Sequence, residues 1–285
     1  STSDTRPEVV GYWGELGAFE LARQLGVRGL AGDLFVDGAL GSHTAALHEP
    51  YADDPTTTGV HYLDVDDITD HVVACTRAGL QAGFHVIGDA AVSAAVDGFA
   101  KAAETVGRDA LAAARHRLEH LEMIDAGQAE RLANWGVVAS VQPLFDANWG
   151  GRDRMYATRL GARRASALNP FATLAAAGMP LAFGSDAPVT PISPWHAVRA
   201  AVHHRTDGFG VDPRAAFTAH TIGGWRARGV DDALTGTLAP GARAHYAIWD
   251  APESDGNGLP PLESVADLPQ CRRTVRGGHV IYRRE

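Results

Sequence analysis

Apolar and polar positions along this chain fall into blocks whose period switches between that of a helix and that of a strand. Residues 16–25 place apolar side chains at helical spacing and stop at Gly26. A β-rich run at 30–36 follows and is closed by Asp37-Gly38. The next stretch, from 39 to about 63, is rich in Gly, Pro and Asp and is too long for a plain strand-to-helix turn, which predicts a functional loop. Residues 66–82 show an amphipathic helical pattern with aspartates in the first turn, where negative charge complements the helix dipole. Then come a strand at 84–87, an Ala-rich helix at 90–106, a strand at 117–120, a helix at 125–135 and a β-rich run at 137–141. Helical segments continue to about 177, followed by a strand at 181–183 and a helix at 194–204.

Five strands, near residues 33, 85, 118, 139 and 182, thus alternate with helices. That alternation predicts an α/β fold with a parallel sheet and right-handed crossovers. The tail has a different rhythm: 245–249, 273–276 and 279–282 are short β segments, and Gly277-Gly278 marks a hairpin. The expected division is residues 1–235 for the strand–helix part and 236–285 for a small C-terminal β segment. The Pro- and Gly-rich stretch 251–261 is expected to be an exposed loop.

Composition narrows the function classes. A formal charge of −9 and a pI near 5.8 disfavour nucleic acid or an anionic membrane as partner, since both call for a basic face. No 18-residue apolar run and no signal peptide appear. The two cysteines, Cys75 and Cys271, are too few and too distant for a disulfide framework, which fits a cytoplasmic protein.

The chemistry-bearing side chains stand at strand ends. Phe84-His85-Val86-Ile87-Gly88-Asp89, Arg117-Leu118-Glu119-His120 and Leu181-Ala182-Phe183-Gly184-Ser185-Asp186 each close an apolar run with a metal-ligand residue. Parallel strands that present such groups at their C-terminal ends build the active sites of (β/α) barrels. Two neutral imidazoles and a carboxylate suit a divalent metal of the zinc type. In that reading His85 and His120 donate nitrogens, and Asp186 stands beside the metal-activated water and takes its proton. Glu119 should point away from His120 and pair with Arg115 or Arg117. His43, in the long loop just past a strand end, is a candidate substrate contact. Trp149 and Trp195, also after strands, would line a pocket or pack. His116, His203, His204, His220 and His245 lack such context and read as surface or packing residues.

These segments, in order, resemble the amidohydrolase superfamily and in particular its YtcJ type. The similarity is carried by Gly32-Asp33-Leu34-Phe35-Val36-Asp37-Gly38-Ala39-Leu40-Gly41-Ser42, by Glu49-Pro50-Tyr51, by the three segments above, by Ser140-Val141-Gln142-Pro143, by Gly184-Ser185-Asp186-Ala187-Pro188-Val189, and by Gly236-Thr237-Leu238-Ala239-Pro240-Gly241. The resemblance implies a TIM-type barrel with a β-sandwich built from both chain ends. It also implies hydrolysis of amide or other non-peptide C–N bonds in a small molecule. His85, His120 and Asp186 match the ligands on the family's fifth, sixth and eighth strands, so the five strands correspond to the fourth through eighth of eight.

Two departures qualify this. The family's His-x-His pair on its first strand has no counterpart here, and Asp33 stands at the position of a metal-bridging lysine. The resemblance therefore implies a partial barrel, with Asp33 as a candidate further ligand, and with zinc bound weakly or not at all by this chain alone. It also implies a low-activity portion of a longer hydrolase, completed by a missing N-terminal segment or by association into a homo-oligomer. The alternative implied by relatives with regulatory names is a non-catalytic, ligand-binding protein of the same fold, resembling the exoenzyme regulators.

Overall fold

The computed structural model describes residues 6–32, 34–254, 256, 258–263 and 267–285. Its strands are β1 (Tyr12–Trp13), β2 (Gly29–Leu30), β3 (Gln81–Val86), β4 (Arg117–His120), β5 (Val138–Val141), β6 (Leu181–Phe183), β7 (Tyr246–Asp250), β8 (Gln270–Arg276) and β9 (His279–Arg283). Between and after them lie α1 (Phe19–Leu25), α2 (Val65–Ala78), α3 (Asp89–Val106), α4 (Arg108–Ala114), α5 (Ala126–Asn134) and α6 (Pro143–Trp149). The helices continue with α7 (Met155–Leu160), α8 (Ala162–Ala165), α9 (Phe171–Ala176), α10 (Pro194–Val202), α11 (Pro213–His220) and α12 (Ile222–Ala227).

β1 to β6 pair in chain order as one parallel sheet, and β7 to β9 form a separate antiparallel sheet. The expected α/β class and the small C-terminal β unit are both present. The larger sheet orders its strands as a barrel does, each beside the next in sequence, and the Tyr12 hydroxyl accepts from Arg117 Nη1 at 3.3 Å across β2 and β3. The fold thus follows the barrel pattern as far as its strands run. Among the described residues β1 and β6 remain its two edges.

Local chemistry sets the element ends. Asp64 caps α2: its carboxylate accepts from the backbone N–H of Asp66 and Asp67, and Asp67 reaches back to the N–H of Asp64. Gly79, in the left-handed conformation at φ 69°, stops α2 at Ala78, so the helix ends before the expected 82 and β3 begins at Gln81. Asp125 with Gln128 forms the same capping box at α5, which makes Asp125 the cap rather than the first helical residue. In the tail, Gly277 and Gly278 both take positive φ and join β8 to β9 with Arg276 opposite His279, the geometry of a two-residue hairpin turn.

The expected strand at 30–36 is not continuous. β2 ends at Leu30, Gly32 turns the chain at φ 86°, and pairing resumes only where Phe35 bridges His85. Asp33, the candidate further ligand, lies outside the described residues. β1 was not expected from the pattern; at two residues it is too short to show a period, although Val9-Val10-Gly11-Tyr12-Trp13 is β-rich.

The main core lies between the sheet's outer face and helices α2, α3, α5 and α9, with Phe84, Phe99, Leu118 and Phe171 fully buried. A second apolar cluster sits at the C-terminal rim. There Leu40, Ala45, Leu47 and Tyr51 of the long loop pack on Ile87, Tyr156 and Leu160. Arg164 donates to the carbonyls of Glu49 and Pro50, and Arg159 to that of Gly41, so the loop is an ordered platform bolted to α7 and α8.

Candidate metal and substrate site

The rim of the sheet is built around a buried carboxylate. Asp37 is fully buried and accepts from the backbone N–H of Ala46 at 2.9 Å, Ile87 at 3.0 Å and Gly88 at 2.7 Å. It thereby ties the start of the long loop to the end of β3. Gly88 is required there, because a Cβ would stand 2.0 Å from the carbonyl oxygen of Ala46. Burial pushes the Asp37 carboxyl up to about 7 against the opposing pull of those three donors.

His85 occupies the inner face of β3 beside this anchor. Its Nε2 lies 3.1 Å from the carbonyl oxygen of Gly38, which fixes the ring, and 4.0 Å from Asp37 Oδ1. Phe35 covers one side of it, with ring centres 4.4 Å apart. His120 closes β4 at φ 74°, and Leu121 follows at φ 48°. Two consecutive left-handed residues that are not glycine cost on the order of 1 kcal/mol or more each. The turn is held by backbone bonds from Leu121 N to Val86 O and from Met123 N to Ile87 O. The result swings the His120 ring towards His85, with centres 4.5 Å apart and planes at 67°.

His120 Nδ1 is buried and has no hydrogen-bond partner. Burial, reinforced by the neighbouring His85, drives its pKa down to about 3, while Gln142 favours the charged ring. His120 is therefore a neutral imidazole with an unsatisfied buried nitrogen, the form in which imidazole binds a metal.

The structure brings His85 and His120 together. Among the described residues no group of three or more His, Cys, Asp or Glu side chains could hold an ion. Asp186 stands on the same rim, in an exposed turn after β6 at φ 53°, where Val189 N bonds to its carbonyl and Thr190 Oγ1 donates to that of Ser185. β6, which precedes Asp186, is an edge strand two strands from β4. The two histidines lie on adjacent strands.

His43 is turned into the platform. Its Nε2 lies 3.0 Å from Asp53 Oδ1, its ring meets Tyr51 edge-on, and Asp53 is also held by Arg159. Glu119 pairs with Arg117, Nε to Oε1 at 2.5 Å, one of its two expected partners. It shares a cross-strand row with His85 and Ser140, so this pair fills the sheet's inner face beneath the histidines.

Two buried carboxyls escaped the sequence reading. Glu122 accepts from Asn169 Nδ2 at 3.3 Å and from the Tyr156 hydroxyl, and burial raises it to about 7. Asp146 lies 3.3 Å from His204 and accepts from Arg205 N. Glu122 follows the end of β4 by two residues, and Asp146 lies within α6; no apolar run ending in either marks them out, and their burial comes from packing with Tyr156, Asn169 and His204. His116 and His204 are both buried packing histidines, as their lack of context predicted.

Comparison with known proteins agrees with this architecture. The chain is 35% identical over 234 residues to the LONG AFTER FAR-RED 3 protein of Arabidopsis thaliana, covering 76% of this chain and 38% of that one. It is 33% identical over 172 residues to YtcJ of Bacillus subtilis (strain 168), covering 59% of this chain and 30% of that one. It therefore spans about a third of the length of these two relatives. A crystal structure of an uncharacterized metal-dependent hydrolase from Pyrococcus furiosus superposes with a TM-score of 0.68 at 30% identity, over 80% of this chain and 47% of that one. The model of the amidohydrolase family matches residues 9–282, and this chain belongs to that family.

Proposed function

We propose that this chain is the C-terminal catalytic portion of a metal-dependent amidohydrolase that cleaves an amide or another non-peptide C–N bond of a small molecule. The observation that carries the reading is the pair of imidazoles, His85 and His120, packed at the ends of adjacent parallel strands with a buried nitrogen of His120 left without a protein partner. Two nitrogen donors fit a zinc-type divalent ion but are half of the usual tetrahedral set. The remaining donors would come from a further segment or a second copy that also covers an open sheet edge. The bound ion would supply an activated water and polarise the substrate carbonyl.

The chain's own residues have separable tasks in this reading. His85, held by Gly38 and backed by Asp37, and His120, held by its left-handed turn, would grip the ion. Asp186 would take the water's proton and return it to the departing nitrogen. Burial keeps the His120 imidazole neutral. Free Cys75 and Cys271 accord with a cytoplasmic location.

A second reading, a ligand-binding protein without turnover, is favoured by the finding that no three His, Cys, Asp or Glu side chains among the described residues are placed to hold an ion. One experiment decides between them. Amine release from a panel of simple amides is followed with added zinc or cobalt, for the wild-type chain and for His120→Asn and Asp186→Asn. Slow metal-dependent release lost in both variants supports the hydrolase. No release, with metal binding unaffected by His120→Asn, overturns it.

A further inference from the structure

The two histidines do not stand alone: they are the middle members of a continuous file of rings. Phe35 packs on His85 at 4.4 Å, His85 on His120 at 4.5 Å, His120 on Phe145 at 5.5 Å with planes only 23° apart, and Phe145 on Trp149 at 4.8 Å. The inner rings are buried, with Phe145 6% exposed, while the outer ones are not: Phe35 is 38% exposed and Trp149 is half-buried. The file therefore presents aromatic surface to solvent on either side of the candidate site. Phe35 also lines a cavity of about 610 Å³ that reaches Gly38, the residue whose carbonyl fixes His85, and whose other walls include Leu16, Leu34 and Tyr62. Among the described residues none of the arginine–ring contacts falls on this file.

We propose that Phe35 forms an aromatic subsite beside His85, in the cavity that reaches Gly38, and that it selects substrates carrying an aryl group next to the scissile C–N bond. The proposal deepens the hydrolase reading and rests on it for the identity of the bond. Offset and edge-on contacts between rings add binding beyond simple burial. Phe35 contacts the substrate's non-reacting part and determines specificity; it takes no part in bond cleavage.

Ligand-observed NMR titration tests this with acetanilide and N-methylacetamide, which share the amide and differ in the ring. Acetanilide should bind the wild-type chain at least about fivefold more tightly than N-methylacetamide, the scale of one good ring contact. Phe35→Ala should remove most of that preference, whereas Trp149→Leu, at the far end of the file, and Trp225→Phe, remote from it, should leave it intact. Phe35 is already exposed, so its variant is expected to fold. Equal binding of the two probes, binding of neither, or a preference untouched by Phe35→Ala overturns the subsite. Preference without any hydrolysis leaves the subsite standing and removes the hydrolase reading. Hydrolysis of both amides with equal efficiency does the reverse.

Discussion

The imidazoles of His85 and His120 meet edge to face, 4.5 Å between centres, although 34 residues separate them in the chain. Two parallel strands in direct register, Val86 opposite His120, bring them together. The contact has a consequence for metal affinity.

Metal affinity follows from the donor count. Complete structural zinc sites bind with about 10–16 kcal/mol, and two of four donors should give roughly half, which is a dissociation constant between millimolar and micromolar. Cobalt titration followed by visible absorption should show weak binding with at most one ion per chain. His85→Asn and His120→Asn should each abolish it. Tight binding that survives either substitution would contradict the assignment.

Asp37 should matter more for structure than any other rim carboxyl. Replacing it with alanine strands three buried N–H groups, each costing about 1–3 kcal/mol. Asp37→Ala should therefore lower the urea midpoint sharply, and the amides of Ala46, Ile87 and Gly88 should exchange faster with deuterium. Ordinary stability with unchanged exchange would show that the three bonds do not form.

The Arg117–Glu119 pair makes an opposite prediction for single and double changes. Both side chains are under a fifth exposed, and Arg117 also donates to Ser140 Oγ and Tyr12 Oη. Glu119→Leu alone leaves a largely buried charge and should cost about 3–5 kcal/mol. Adding Arg117→Met should recover much of that loss in thermal unfolding. A double variant no more stable than the single one would argue against a desolvated pair.

Acid should unfold this protein through its buried histidines. His116 Nδ1 accepts from Ala82 N at 2.8 Å, so its proton sits on Nε2 facing Thr76 Oγ1. Burial lowers its pKa to about 3. The unfolded chain, with a value near 6.5, takes up the proton first. The stability from this group is therefore complete above about pH 6.5 and is lost as pH falls towards 3. His116→Gln should shift the acid midpoint, followed by circular dichroism, to lower pH. An unmoved midpoint would show that other groups govern acid unfolding.

Much of this was legible in the chain itself. Local chemistry marks the strand ends at His85, His120 and Asp186, because an apolar run that terminates in a polar ligand is visible without coordinates. Capping aspartates, Gly79 and the paired glycines of the tail likewise act within a few residues of themselves. The split after Leu30 and the short β1 escaped notice, since two-residue strands have no period to detect. What only the tertiary structure decided is which side chains meet. The two histidines converge because their strands are neighbours, whereas Asp186 sits at an unpaired edge. His43 is claimed by Asp53, ten residues along a folded loop. Glu122, Asp146 and the ring file through Phe35 and Trp149 exist only as packing between distant segments, where burial and contact are properties of the fold and of no single stretch of sequence.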